Sequence, residues 1–155
     1  MNEEFPRLEL EDYQKDFLAD WYSPRKLFKG ERYSGKSELL LSELRRFERN
    51  GMSSLLIAPN LGQIKTLKRQ YEGRFGEKMV SSSGTIHDIE RGNFRGNHYD
   101  CILFDEVQEI MEDQFMSFMA HHPKLIRATA SKSRIHNSMW LDDEPSFFDV
   151  VYTDE

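Results

Sequence analysis

The stretch Gly30-Glu31-Arg32-Tyr33-Ser34-Gly35-Lys36-Ser37 constrains this chain more than any other part of it. It matches G-x-x-x-x-G-K-[ST] at every fixed position, the pattern of a loop that wraps a phosphate chain. Backbone amides must curl around the phosphate oxygens, and Gly35 must permit close approach. Lys36 must reach the β- and γ-phosphates, and the Ser37 hydroxyl must ligate a magnesium ion. The flanks agree with this reading. RKLFK (25–29) predicts a short strand running into Gly30, and SELLLSELRRFERNG (37–51) predicts an amphipathic helix closed by Asn50 and Gly51. A helix opening at that point adds the positive end of its dipole to the phosphate site. ATP and Mg are therefore the expected cofactors, with residues 30 to 37 as the nucleotide contacts. The alternative is a glycine turn carrying an exposed lysine.

The rest of the chain alternates in kind. LEDYQKDFLADWY (10–22) places Leu10, Tyr13, Phe17, Leu18 and Trp21 at helical spacing, and Pro24 ends it. SSLLIAP (53–59) is an apolar run bounded by turn residues, as expected of a strand buried on both faces. A helix follows over LGQIKTLKRQYEGRF (61–75), with Leu61, Ile64, Leu67 and Tyr71 on one side. MVSSSG (79–84) predicts a strand, TIHDIERG (85–92) a short helix, and YDCILFDE (99–106) another buried strand. A helix from Val107 to about His121 comes next, and KLIRATAS (124–131) and FFDVVYT (147–153) complete the set. Strands separated by helices require crossover connections, hence an α/β three-layer sandwich with a largely parallel sheet. Such a sheet binds ligands at the carboxyl ends of its strands.

CILFDEVQE (101–109) supplies two acids at such an end. Asp105, on a strand expected beside the loop, suits a metal-holding role. Glu106 suits the orienting or deprotonation of an attacking water. Strands also end in acids that merely cap the next helix. Coming two strand–helix units after Lys36, this pair reads better as metal-site and catalytic carboxylates. Thr129, closing the apolar run LIRATAS (125–131), either hydrogen-bonds toward the γ-phosphate site or is an ordinary strand end. Gln14 lies upstream of the loop with an amide able to pair with adenine as both donor and acceptor. The five histidines show no metal-ligand spacing.

Composition narrows the setting. One domain over residues 1–155 is expected, since the chain is long enough to bury a core. Hydrophobic residues at 38%, with eleven Phe, six Tyr and two Trp, exclude a disordered chain. Cys101, the single cysteine, rules out an internal disulfide and reads as a small buried hydrophobe. The acidic N-terminus and the lack of any run of about 18 apolar residues predict a soluble, cytoplasmic protein with no membrane partner. A net charge of −6 argues against a wholly basic nucleic-acid binder. Acids crowd residues 142–155, however, while Lys65, Lys68, Arg69, Arg74 and Lys78 cluster earlier, so a local basic surface is open.

Together these residues resemble the N-terminal ATPase domain of tailed-phage large terminases, RecA-like P-loop ATPases related to the helicases. The resemblance runs in order through Tyr13 to Leu18 (YQ-x-x-FL), Arg32 to Ser37 (R-x-x-G-K-S), Ile57 to Asn60 (IAPN), Leu103 to Glu109 (LFDEVQE) and Ala128 to Ser131 (ATAS). It implies a RecA-like P-loop NTPase fold of the additional-strand, catalytic-glutamate type. It also implies ATP hydrolysis coupled to translocation of double-stranded DNA, by a homo-oligomeric ring at a portal. Arg32 holds the place of the family's arginine four residues before the loop lysine. That position implies a guanidinium finger for the γ-phosphate, supplied in cis or from a neighbouring subunit. The alternative for Arg32 is a surface arginine pairing with a nearby acid. Thr129 inherits a role in coupling hydrolysis to movement.

The chain departs from the family in three ways. ATAS lacks the proline of the family's coupling motif, and RKLFK is basic enough to suggest a strand near the sheet edge. Residues 1–155 leave no room for a nuclease domain, so an excised domain or a separate nuclease partner is expected, with no DNA cleavage by this chain. Two other functions fit the same motifs: the first RecA-like lobe of a helicase, and an ATP-binding adaptor with weak turnover. Lys65, Lys68 and Arg69 are candidate DNA contacts, against the commoner reading of a solvated helix face.

Overall fold

The computed structural model describes residues 12–20, 23–30, 35–92, 94, 98–120, 125–131 and 147–153. The elements follow the order α1 (Asp12–Ala19), β1 (Arg25–Gly30), α2 (Lys36–Arg49), β2 (Ser54–Ala58), α3 (Leu61–Phe75), β3 (Ser82–Thr85) and α4 (Ile86–Glu90). Then come β4 (Cys101–Phe104), a 3-10 turn (Val107–Glu109), α5 (Glu112–Met119), β5 (Leu125–Ser131) and β6 (Val150–Thr153). The six strands form one sheet in the order β3-β2-β4-β5-β1-β6, and every neighbouring pair is parallel.

Side chains that alternate along a strand point to opposite faces, and this builds two separate cores. Leu55, Ile57, Ile102, Phe104 and Ile126 pack with Phe115 and Met119 of α5, with Ile86 and Ile89 of α4 against them. Leu56, Ala58, Cys101 and Leu103 instead meet Leu40, Leu41, Leu44 and Phe47 of α2 and Ile64, Leu67 and Tyr71 of α3. Phe17 and Leu18 of α1 form a third, smaller cluster with Phe28 and Leu39. The result is the three-layer sandwich that the alternation predicts. Each fully buried Leu or Phe contributes about 1.5–3 kcal/mol, so β2 and β4, buried throughout, tie the layers together.

Three local expectations are corrected. Leu61 is 65% exposed instead of sharing the buried face of α3, because it opens the helix ahead of the first core contact at Ile64. The helix expected from Val107 begins only at Glu112. Val107 and Ile110 are both buried, and a 3-10 turn brings side chains three apart onto one face. The strand expected at residues 79–84 forms at Ser82–Thr85, because Glu48 takes the Val80 and Ser81 amides away from any ladder.

The basic strand β1 lies near the sheet edge, with β6 alone outside it. Its charge is nevertheless paired within the core. Lys26, Glu43 and Arg127 all have fully buried side chains. Glu43 Oε1 stands 2.8 Å from Lys26 Nζ and accepts from Arg127 Nε at 2.6 Å. Lys26 Nζ also donates to the carbonyls of Phe17 (2.6 Å) and Asp20 (2.5 Å), and Arg127 Nη1 to those of Ser23 (3.0 Å) and Ile126 (3.0 Å). Burial pushes the Lys26 amine down to about 8, although Glu43 pulls it back up. Charges survive burial only when paired and hydrogen-bonded, and here β1, β5, α1 and α2 all supply partners.

The end of α1 is fixed separately. The Asp20 carboxylate accepts from Ser23 N and Oγ (3.0 and 2.7 Å) and from Tyr152 Oη of β6 (2.7 Å).

Candidate functional site

A parallel sheet gathers its loops at the carboxyl ends of its strands, and Gly30, Asp105, Glu106 and Thr129 lie there. β1 ends at Gly30, opposite Ser131 of β5. β4 ends at Phe104, opposite Ala128, so Asp105 and Glu106 emerge beside Thr129. Asp105 was expected on a strand next to the loop strand. It lies one further away, because β5 intervenes between β4 and β1. That intervening strand sets the hydroxyls of Thr129 and Ser131 against the two acids.

Gly35 closes the loop with φ +82°, ψ 21°, and α2 begins at Lys36 immediately after it. The left-handed backbone favours glycine, and a Cβ there would lie 2.2 Å from Gln14 Nε2. The buried Gln14 of α1 is thus seated directly against the last loop residue. Ser37 lies in the first turn of α2. Glu31, Arg32, Tyr33 and Ser34 lie outside the described residues, as does the arginine-finger expectation that rests on Arg32.

Asp105 is 3% exposed. Its amide donates to Ile57 O at 2.8 Å, extending the ladder one residue past the strand. Oδ1 accepts from Thr129 Oγ1 at 3.2 Å, and Oδ2 accepts from Gln63 Nε2 at 2.7 Å. Burial raises its pKa above the ordinary carboxylate value. The Gln63 hydrogen bond opposes that shift, the Glu106 charge adds to it, and the Lys36 charge lowers it. Lys36 is therefore electrostatically coupled to Asp105.

Glu106 is the one non-glycine residue with positive φ among the described residues, at φ 57°, ψ 57°. Such a backbone costs on the order of 1–2 kcal/mol and persists only where neighbours hold it. Here they do. Its amide donates to Thr129 Oγ1 (3.2 Å), and its carboxylate accepts from Ser131 Oγ at 2.8 and 2.7 Å. Ser131 N in turn donates to the buried Gln108 Oε1 at 3.3 Å. Thr129 thus joins both acids through one hydroxyl.

The donor set suits a magnesium–triphosphate ligand. Ser37 and Asp105 are hard oxygen donors of the kind magnesium accepts. Lys36 heads a helix whose N-terminus favours phosphate. Gly35 presents backbone where a side chain would intrude on Gln14. Two residues of this cluster escaped the sequence reading. Ser131 lay within the quoted ATAS stretch, but its contact depends on strand register. Gln63 had no local signal, since it reaches Asp105 across 42 positions of chain.

No family model matches the chain, and neither does any curated protein. Among solved structures it is similar to the UvsW helicase from bacteriophage T4, with TM-score 0.74 and 14% identity over 95% of this chain and 61% of that one. It is also similar to the large terminase from a thermophilic bacteriophage, with TM-score 0.67 and 15% identity over 95% of this chain and 46% of that one. The chain therefore spans about three-fifths of the first and under half of the second. The fold is the RecA-like α/β fold shared with these helicase and terminase structures.

Proposed function

We propose that this chain is an ATP-hydrolysing motor domain that works on double-stranded DNA, of the kind that drives a packaging terminase. One observation carries the reading. Glu106, Asp105, Thr129 and Ser131 form a single hydrogen-bonded group at the carboxyl end of the sheet, where Gly30 ends β1 opposite Ser131. In this account residues 30 to 37 hold the triphosphate, and Lys36 neutralises its β- and γ-oxygens. Ser37 and Asp105 hold magnesium, which when bound offsets charge on the transferring phosphoryl group. Glu106 orients the attacking water and accepts its proton, Arg32 supplies a finger, and Gln14 contacts the nucleotide. Thr129, bonded to both acids, reports the state of the site to the rest of the fold.

The DNA contacts in this reading are Lys65, Lys68 and Arg69, all exposed on α3. No helix among the described residues is long and apolar enough to cross a membrane. A homo-oligomeric ring at a portal and a separate or downstream nuclease complete the terminase account. The second reading is the first lobe of a helicase, favoured by the higher similarity to the UvsW helicase and by the order Asp105-Glu106-Val107-Gln108. ATP hydrolysis measured with and without duplex DNA, on monomeric and assembled protein, tests the proposal. Stimulation by blunt duplex without strand separation supports the packaging motor. Separation of a forked duplex supports the helicase lobe, and no hydrolysis in any state contradicts both.

A further inference from the structure

Gln63 is absent from the set of residues so far given a task at the nucleotide site, yet it makes the shortest hydrogen bond to Asp105, 2.7 Å from Nε2 to Oδ2. Its own position is fixed from behind. Asn60 caps α3, its Oδ1 accepting from Gln63 N at 2.9 Å. One residue later Ile64 enters the core, followed by Leu67 and Tyr71. The amide of Gln63 is therefore carried by a helix end that cannot drift relative to the sheet.

A carboxylate offers lone pairs on both oxygens. Thr129 occupies one on Oδ1, from β5, and Gln63 one on Oδ2, from α3. Held at both ends, the carboxylate cannot rotate about its terminal bond, and its remaining lone pairs face one fixed direction. Partners of this kind orient a metal ligand and are worth about 10–100-fold in metal affinity or activity.

We propose that Gln63 is a positioning residue for the metal site: its side-chain amide locks the Asp105 carboxylate in the orientation that receives magnesium. The inference rests on the ATP–magnesium reading above. It adds α3 as a structural member of a site otherwise built from the phosphate loop, β4 and β5. It also joins the metal carboxylate directly to the helix that carries Lys65, Lys68 and Arg69.

The test is the affinity of a fluorescent, non-hydrolysable ATP analogue, measured in EDTA and in saturating Mg²⁺, for wild type, Gln63→Met and Gln63→Leu. Both substitutions remove the donor, and methionine keeps the length. In EDTA each variant binds the analogue within about twofold of wild type, which also reports that the site is folded. The gain in affinity on adding Mg²⁺ shrinks by about tenfold or more in both. An unchanged gain overturns the proposal. Affinities that fall equally with and without Mg²⁺ also overturn it, since they mark a purely structural role. Wild type that binds no analogue at all contradicts the nucleotide reading itself, a result distinct from either.

Discussion

The Ser131 hydroxyl lies 2.8 and 2.7 Å from the two carboxylate oxygens of Glu106, at the point where β5 runs alongside the last residue of β1. A strained backbone and a doubly contacted side chain together restrict Glu106 to one direction. A water-orienting carboxylate needs that restriction, because its contribution of about 10²–10⁴-fold depends on geometry first. Ser131→Ala is expected to lower kcat for ATP hydrolysis by about tenfold, a fraction of that total. Nucleotide affinity should be unchanged, and Ser131→Thr should retain turnover. Steady-state kinetics with parallel binding titrations checks this, and an unchanged kcat in Ser131→Ala removes Ser131 from the account.

The buried Lys26–Glu43–Arg127 group makes a stability prediction. Glu43 is the shared anion between two fully buried cations. Glu43→Gln keeps the shape but removes the carboxylate that both cations share, which costs about 3–5 kcal/mol. Urea denaturation monitored by tryptophan fluorescence should report a loss of that size. A change under about 1 kcal/mol, typical of an exposed pair, contradicts the assignment.

Asp20 gives a pH-dependent prediction. Burial raises its pKa, but the hydrogen bonds from Ser23 and Tyr152 outweigh that and bring it from 3.8 down to about 2. The folded state thus binds this proton less readily than the unfolded state. The stabilisation is therefore present above pH 3.8 and lost as pH falls through about 2. The difference in melting temperature between wild type and Asp20→Asn should be constant near neutral pH and close between those two values. A gap that widens on acidification contradicts this.

Much of the architecture was legible because periodicity and punctuation are local. The run from Ser54 to Ala58 carries its own signal, and α3 begins and ends where its cap residues Asn60 and Gly76 place it. Three features were not legible, each for the same physical reason: a partner far away in sequence decided it. The buried pairing of Lys26 was hidden because Glu43 and Arg127 meet it only in the folded sheet. The break between Val107 and Glu112 depends on two core pockets that Val107 and Ile110 fill. The order of β4, β5 and β1 depends on crossovers, and it decides that Thr129 and Ser131 of β5 stand beside the acids. Asp105, Glu106 and Thr129 could be named from the sequence as candidates; their mutual contacts could not.

The central claim is that Lys36 binds the triphosphate and Glu106 acts only in its hydrolysis. The direct measurement pairs ATP binding with ATP turnover in wild type, Lys36→Ala and Glu106→Gln. Lys36→Ala should lose binding. Glu106→Gln should bind ATP as wild type does while turnover falls by about 10²-fold or more. Equal turnover by wild type and Glu106→Gln, or undiminished binding by Lys36→Ala, contradicts the account.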